Sequence, residues 1–171
     1  MLLGEFNHNI DEKGRLIIPA KLREDLGDSF VICNGLEGCL FVYSQEEWNK
    51  FVAELESLPR MNKDARIFKR YFFGSASEGS FDKQGRVLVP PSLRKNAHLE
   101  KEVVLVGVQD RVEIWDKALW KRKTRSARKI WMRLQNVWKR SEFASDDNKD
   151  RQVRQSEGGV YGIRARFSAV A

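Results

Sequence analysis

Residues 11–23 of the chain read DEKGRLIIPAKLR, and residues 82–94 read DKQGRVLVPPSLR. At this offset of 71 residues, Asp, Gly, Arg, Pro, Leu and Arg recur at identical spacing. A second set of matches lies about 72 residues apart, where LFVY at 40–43 corresponds to VEIW at 112–115, and Trp48 to Trp120. Two independent sets of matches indicate that the chain contains a duplicated unit of roughly 45 residues.

Both copies predict the same order of elements. A short strand (6–10 or 77–81) leads into a turn at Gly14 or Gly85, where glycine tolerates positive φ. An apolar strand follows (16–18 or 87–89), and the proline after it ends the strand and can open a short helix (20–26 or 91–97). Two more strands complete each copy, at 29–34 and 39–43 in the first and at 102–108 and 111–115 in the second. The sequence therefore predicts a β-rich α+β fold.

The segment between the copies is predicted to be helical. Apolar residues at helical spacing run from Trp48 to Leu58, Pro59 ends that helix, and a second helix covers residues 63–73. A linker this apolar is expected to pack against a barrel or a neighbouring subunit. We predict four segments: the two repeated units at 5–47 and 76–119, a helical linker at 48–75 and a basic, partly disordered tail at 120–171.

The positive charge of the chain is confined to its tail. The net charge is +7, with 31 Lys and Arg against 24 Asp and Glu. Residues 1–120 carry 17 of those basic and 19 of those acidic residues, a net of −2, which leaves +9 for residues 121–171. Any nucleic-acid contact in the first 120 residues must therefore come from a local cluster.

Several other classes of protein are disfavoured by the sequence. We expect a cytoplasmic protein, because the chain has no apolar run long enough to cross a bilayer and no signal-peptide pattern at its start. Cys33 and Cys39 are then expected to stay reduced. Two Cys and two His cannot form a convincing four-ligand zinc site, so we expect no metal and no cofactor.

The repeated Asp-x-x-Gly-Arg turn is the best candidate for function. A tight turn would expose Arg15 and Arg86, whose guanidinium groups could donate two hydrogen bonds to guanine O6 and N7 in DNA. Asp11 and Asp82 could hold these arginines or cap the turns through backbone amides, and Gly14 and Gly85 would form them. Nearby phosphate contacts would come from Lys13, Lys21, Arg23, Lys83 and Arg94. The simpler interpretation is that each Asp and Arg form a surface ion pair and that the other cations are solvated surface.

An enzymatic function finds little support. Asp11 and Asp82 could meet as a carboxylate dyad across a pseudo-twofold axis, but Glu12-Lys13 and Lys83-Gln84 follow them instead of small residues. His8 and His98 are isolated, and the sequence has neither a glycine-rich phosphate loop nor a Ser-His-Asp arrangement. We therefore predict that the protein is not an enzyme.

The combined motifs resemble the MraZ family over residues 1 to about 120. Besides the two Asp-x-x-Gly-Arg-(apolar)3-Pro units, the resemblance is carried by GLEGCLF at 35–41, DAR at 64–66 and EIWD at 113–116. It implies two AbrB-like swapped-hairpin units that form a pseudo-twofold barrel, and DNA contacts by Arg15 and Arg86. It also implies a nucleoid-associated regulator, most simply a repressor, which binds short G-rich promoter repeats as a ring-shaped homo-oligomer. The implied target lies upstream of the division and cell-wall gene cluster.

Two other functions remain open. One is an antitoxin-type DNA-binding module of the AbrB-like class, although such a protein typically has one unit and a disordered toxin-binding tail. The other is an oligomeric scaffold that does not bind DNA, in which the basic turns are only structural.

The tail departs from the resemblance, which implies an acidic amphipathic helix after the second unit. Residues 121–129, KRKTRSARK, are strongly basic instead. The tail could be an added arm whose cations contact phosphates and which Trp131 and Trp138 anchor. Alternatively, it is read in a shifted frame: with permissible codons around Trp131, Met132 and Trp138, the other register encodes the acidic stretch DMDEVAECMEEIGI. Sequencing the gene distinguishes the two.

Overall fold

A computed structural model describes residues 1–135 of the chain. The chain divides into two compact units, Met1–Arg122 and Lys123–Ala171, and in the second unit residues 123–135 are described and helical. Trp138 and the segment from Ser141 onward, for which we predicted disorder, lie outside the described residues.

The elements of the first unit follow the predicted order closely. They are β1 (Leu2–Asn9), β2 (Arg15–Ile17), α1 (Ala20–Leu26), β3 (Ser29–Asn34), β4 (Leu40–Ser44), α2 (Gln45–Ser57), α3 (Lys63–Phe73), β5 (Ser77–Ser80), β6 (Arg86–Leu88), α4 (Pro91–Asn96), β7 (Glu102–Gln109) and β8 (Arg111–Asp116). Residues 117–122 are helical as well. The α1, β3 and α3 bounds are those predicted, and β1 begins four residues earlier than predicted. The predicted α+β class is confirmed.

The two copies exchange their first strands. A six-stranded antiparallel sheet has the order β1-β7-β8-β4-β3-β5. The pair β3–β4 comes from the first copy and β7–β8 from the second, and the two pairs join where β4 lies against β8. Strand β1 of the first copy pairs with β7 of the second, whereas β5 of the second pairs with β3 of the first. Neither copy is therefore complete without the other.

The short strands after the turns pair with each other. Strands β2 and β6 form a separate two-stranded antiparallel sheet, here called the β2–β6 ribbon, with Leu16 opposite Val87 at its centre. Strands β1 and β2 follow each other through the first turn but do not pair, and Ile10, just after β1, forms an isolated bridge with Leu16. The strands thus form two sheets, and a closed barrel is not confirmed.

Two apolar clusters flank the centre of the large sheet. Strand β4 is buried on both faces, and its residues alternate between the clusters: Leu40 and Val42 pack into one, Phe41 and Tyr43 into the other. The first cluster also takes the inward side of the β2–β6 ribbon, where Leu16 is fully buried. Burial on both faces explains why LFVY at 40–43 is continuously apolar and does not alternate.

The linker helices α2 and α3 belong to the second cluster. Each begins at a side-chain cap: the Ser44 hydroxyl accepts from the Glu47 amide at 3.3 Å, and the Asn62 side chain accepts from the Asp64 amide at 2.8 Å. Leu55 of α2 and Phe72 of α3 are buried against the sheet. The apolar linker therefore packs on the large sheet, not on a closed barrel.

Candidate nucleic-acid interface

The two Asp-x-x-Gly-Arg turns have the same hydrogen bonds. In the first turn, Oδ1 of Asp11 accepts from the backbone amides of Lys13 at 3.0 Å and Arg15 at 2.8 Å, and Oδ2 accepts from Nε of Arg15 at 2.7 Å. The backbone amide of Gly14 donates to the carbonyl of Asp11 at 2.9 Å. Asp11 thus both caps the turn and holds the arginine, which are the two roles that its sequence position suggested.

The second turn repeats this arrangement. Asp82 accepts from the amides of Gln84 and Arg86 at 2.9 Å each, and from Nε of Arg86 at 2.7 Å. Each aspartate is therefore occupied within its own turn. The pairing through Nε uses one of the five guanidinium donors, so the four Nη hydrogens of each arginine remain outside the ion pair.

The charges of the two aspartates are stabilised by these turns. The pKa of Asp11 is lowered from its ordinary value of 3.8, chiefly because the backbone amide of Arg15 donates to it, and the Arg15 guanidinium adds to the effect. The pKa of Asp82 is lowered in the same way, chiefly by the backbone amide of Arg86. Both carboxylates are therefore ionised at neutral pH, and they keep both arginines oriented.

Both arginines lie on the same outer face of the β2–β6 ribbon. Directly opposite residues of an antiparallel pair share a face, and here Arg15 is opposite Leu88 while Arg86 is opposite Ile17. The backbones of Arg15 and Arg86 are consequently diagonal neighbours at about 7–8 Å. The sequence suggested two separate turn tips, whereas the structure gathers both arginines on one surface.

Arg23 and Arg94 pack against the turns of the opposite copies. A Cβ placed on Gly14 would lie 2.8 Å from Cζ of Arg94, and one on Gly85 would lie 2.5 Å from Cζ of Arg23. In both arginines Nε is buried and has no hydrogen-bond partner among the described residues. Each guanidinium therefore covers a glycine peptide, a contact that repeat spacing alone did not reveal.

The lysines predicted to contact DNA are accessible. Lys13 and Lys83 lie in the two turns, Lys21 lies in α1, and all three side chains are exposed. Exposure meets the first requirement for a phosphate contact.

Two residues of this face did not emerge from the sequence as candidates. Ile17 and Leu88 are 49% and 63% exposed, and they lie beside the arginines on the outer face of the ribbon. The sequence did contain a signal for their position on the outer face. In a strand, successive side chains point to opposite faces, so the first and third residues of RLI (15–17) and RVL (86–88) lie opposite the buried second residue.

Neither a membrane span nor a metal-binding cluster is found among residues 1–135. No helix there has the length and apolar character needed to cross a membrane. Within the same residues, no group of three or more His, Cys, Asp or Glu side chains is arranged to hold a metal ion.

A protein-family profile matches the chain twice. The family is described as "MraZ protein, putative antitoxin-like", and the matches cover residues 1–71 and 72–134. Together they span well over half of the chain, and the second begins at the end of α3. The division into two matches follows the internal repeat.

Curated relatives agree with the profile. The chain is 57% identical over 122 residues to a protein of Desulforamulus reducens named "Transcriptional regulator MraZ", covering 71% of this chain and 86% of the relative. It is 55% identical over 120 residues to proteins of the same name from Thermoanaerobacter sp. (strain X514) and Ligilactobacillus salivarius, covering 70% of this chain and 84% of each relative. The relatives are regulators, which confirms the prediction that the chain is not an enzyme.

Proposed function

This chain belongs to the MraZ family, and we propose that it is a transcriptional regulator that binds double-stranded DNA through the outer face of the β2–β6 ribbon. In this proposal Arg15 and Arg86 donate to O6 and N7 of guanine bases in the major groove. A major groove admits a two-stranded ribbon of this kind. The names of the relatives favour the same function.

The observation that carries the proposal is the duplicated Asp–Arg pair on one face. An ion pair that served only the turn would not require two copies whose arginines are diagonal neighbours. The aspartates restrict the motion of the guanidinium groups through Nε, and pre-oriented donors lose less conformational entropy on binding. The ion pair and the readout of bases are therefore compatible functions of the same residues.

Phosphate contacts would complete the interface. We assign them to Lys13, Lys83 and Lys21, with Arg23 and Arg94 contributing only through their Nη ends, because their Nε atoms are buried. Contacts of this kind position the protein on the duplex and make binding dependent on salt, but they do not distinguish base sequences.

A mobility-shift assay with single substitutions tests the proposal. Arg15→Ala and Arg86→Ala should each weaken specific binding by about 1–3 kcal/mol, since each removes one bidentate pair with guanine. Thermal midpoints should stay within a degree or two of the wild type, because both ion pairs are half-exposed at the surface and such pairs contribute about 0–1 kcal/mol to stability. Arg60→Ala, which alters an exposed arginine between α2 and α3, is the matched control. Unchanged affinity in the Arg15→Ala/Arg86→Ala double variant would contradict direct readout.

The proposed target and mode of regulation rest on the resemblance to the family. We propose that the chain binds short G-rich repeats in the promoter of the division and cell-wall gene cluster, beginning with its own gene, and represses it. This activity would place it on the nucleoid in the cytoplasm. The promoter duplex, with its repeats intact or scrambled, is the probe for the mobility-shift assay.

We further propose that several copies assemble into a ring. The first 120 residues have a net charge of −2, so a single copy would attract DNA weakly. A ring would place several ribbons on successive repeats, and the effective concentration would increase avidity without new contacts per ribbon. Exposed apolar side chains on α3, such as Ile67 and Phe68, offer a surface for assembly.

An antitoxin-type module is the second candidate, because the family description contains that term. It predicts that the chain relieves growth arrest caused by a separate toxin protein. Two fused units disfavour it, since an antitoxin of the AbrB-like class typically has one. The scaffold alternative predicts that the double arginine variant behaves like the wild type in every DNA assay.

A further inference from the structure

Two aliphatic side chains lie on the outer face of the β2–β6 ribbon, and the described part of the chain leaves both of them partly exposed. Leu16 and Val87, on the inner face, are 0% and 2% exposed and belong to the core. Ile17 and Leu88, on the outer face, are 49% and 63% exposed. Two large aliphatic groups held in water on a rigid strand pair gain free energy when a partner covers them.

The immediate surroundings of this apolar pair are cationic. Each aliphatic side chain is directly opposite an arginine, Leu88 opposite Arg15 and Ile17 opposite Arg86. Arg15 and Arg86 are each ion-paired with the aspartate of their turn, but Lys13, Lys83, Arg23 and Arg94 in and against the turns outnumber Glu12. The face is therefore net positive, and like-charge repulsion disfavours a second copy of the same face. Charge complementarity therefore favours a polyanion that also offers small apolar groups.

We propose that Ile17 and Leu88 are specificity-determining residues that contact the 5-methyl groups of thymines in the major groove. This inference rests on the proposed function. The thymine methyl is the apolar group on the major-groove edge of the bases, on the same edge as guanine O6 and N7. Arginine and an aliphatic residue in direct cross-strand register thus read guanine and thymine together.

The ribbon geometry limits where those thymines lie. Side chains directly opposite each other on an antiparallel pair have Cβ atoms about 4.5–5.5 Å apart. Stacked base pairs are about 3.4 Å apart along the duplex. Each thymine should therefore lie within one or two base-pair steps of a guanine that Arg15 or Arg86 contacts. The pseudo-twofold ribbon presents this combination twice.

Replacing thymine with deoxyuridine removes only the methyl group and tests the inference directly. The full chain is used to select a duplex from a random pool, and the selected duplex is made with thymine and with deoxyuridine. The wild type should bind the deoxyuridine duplex about fourfold more weakly for each methyl group removed from the interface. Ile17→Ala and Leu88→Ala should each weaken binding to the thymine duplex by a similar factor. The double variant should bind both duplexes equally.

Controls separate this effect from loss of folding. Leu36→Ala changes an exposed leucine in the turn between β3 and β4, 47% exposed, and should retain the full response to deoxyuridine. Ile17→Val keeps both γ carbons and should retain most of the affinity. Thermal midpoints of all variants should match that of the wild type, because the altered side chains are exposed.

The possible failures are distinguishable. If no duplex is enriched, or if enrichment survives Arg15→Ala/Arg86→Ala unchanged, the proposed function itself fails. If a duplex is enriched but deoxyuridine leaves wild-type affinity unchanged, or the Ile17→Ala/Leu88→Ala variant weakens by the same factor on both duplexes, only methyl recognition is overturned. A lower oligomer mass in the Ile17→Ala/Leu88→Ala variant, with DNA affinity unaltered, would identify the face as an interface between copies instead.

Discussion

At the scale of single residues, each Asp-x-x-Gly-Arg turn depends on the different roles of its aspartate and its glycine. Asp11 holds both the backbone of the turn and the Arg15 side chain, and Asp82 does the same for Arg86. Gly14 and Gly85 have φ of +80° and +72°, as their turn positions predicted. The sequence alone was sufficient here, since a tight turn with an Asx cap is specified within five consecutive residues.

The covering arginines should make the two turn glycines more sensitive to a methyl group. Gly14 and Gly85 have positive φ, and a Cβ on either would meet the guanidinium of Arg94 or Arg23. Alanine at either position should cost about 1–2 kcal/mol for the positive φ. Displacing the guanidinium should add to this loss of unfolding free energy, which denaturant titration measures.

The Arg94→Ala background isolates the contribution of the arginine. In that background the loss caused by Gly14→Ala should be smaller than in the wild type, because the covering guanidinium is gone. Equal losses caused by Gly14→Ala in the two backgrounds would contradict the packing of arginine on the turn.

The aspartates should make the turns sensitive to acid. Their pKa values are lowered on folding, so their charge adds stability that is complete above the ordinary value of 3.8 and is lost as the pH falls through the lower folded value. Comparing thermal midpoints from pH 7 to pH 2, we expect the advantage of the wild type over Asp11→Asn/Asp82→Asn to shrink below pH 4. Asp28→Asn, at an exposed site before β3, is the control. A constant advantage across this range would exclude the charge as its source.

At the scale of elements, the two copies stabilise each other's turns. The Val89 amide donates to the Gly14 carbonyl at 2.9 Å, and the Ile18 amide donates to the Gly85 carbonyl at 3.1 Å. The guanidinium of Arg94, at the end of α4, covers the same Gly14 turn. A residue of the second copy therefore positions the arginine that belongs to the first, and the reverse holds for Arg23.

Removing one of these covering arginines should loosen the turn of the opposite copy. In Arg94→Ala we expect the amides of Gly14 and Val89 to exchange hydrogen about five- to tenfold faster, since local opening becomes easier. Arg94→Lys should behave similarly because an ammonium lacks the planar face of guanidinium. The neighbouring exposed residue supplies a control, Lys95→Ala. Faster exchange confined to residues 82–86 would contradict the crossed arrangement.

At the scale of the whole molecule, the exposed apolar face of α3 is relevant to the proposed assembly of several copies. Ile67, Phe68 and Tyr71 are 48%, 40% and 44% exposed, although Phe72 of the same helix is buried against the sheet. Helical periodicity predicted an apolar helix here. The apolar side chains of α3 cover a wide part of its surface, so some of them pack on the sheet and others face solvent. An apolar surface of this kind is typical of contacts between subunits.

Light scattering should therefore report a mass several times that of the 19.9 kDa chain. Ile67→Asp should lower that mass, because a buried unpaired carboxylate is costly at an interface. Ala53→Asp on an exposed position of α2 should not. DNA affinity should rise with the number of repeats in the probe for the wild type, and much less for Ile67→Asp. A monomeric wild type with full affinity for one repeat would contradict assembly.

The sequence by itself predicted the internal repeat. It also predicted the chemistry of the turns and nearly all strand and helix positions, because these depend on spacing within a few residues. It did not predict which strands pair with each other. Alternation specifies which face of a strand is buried but not which strand lies beside it. The exchange of β1 and β5, the pairing of β2 with β6 and the contact of Arg94 with Gly14 join segments 45 to 107 residues apart. They arise only when one core forms from both copies. That assembly gathers Arg15, Arg86, Ile17 and Leu88 on one face, so the surface proposed to read DNA is a product of tertiary structure.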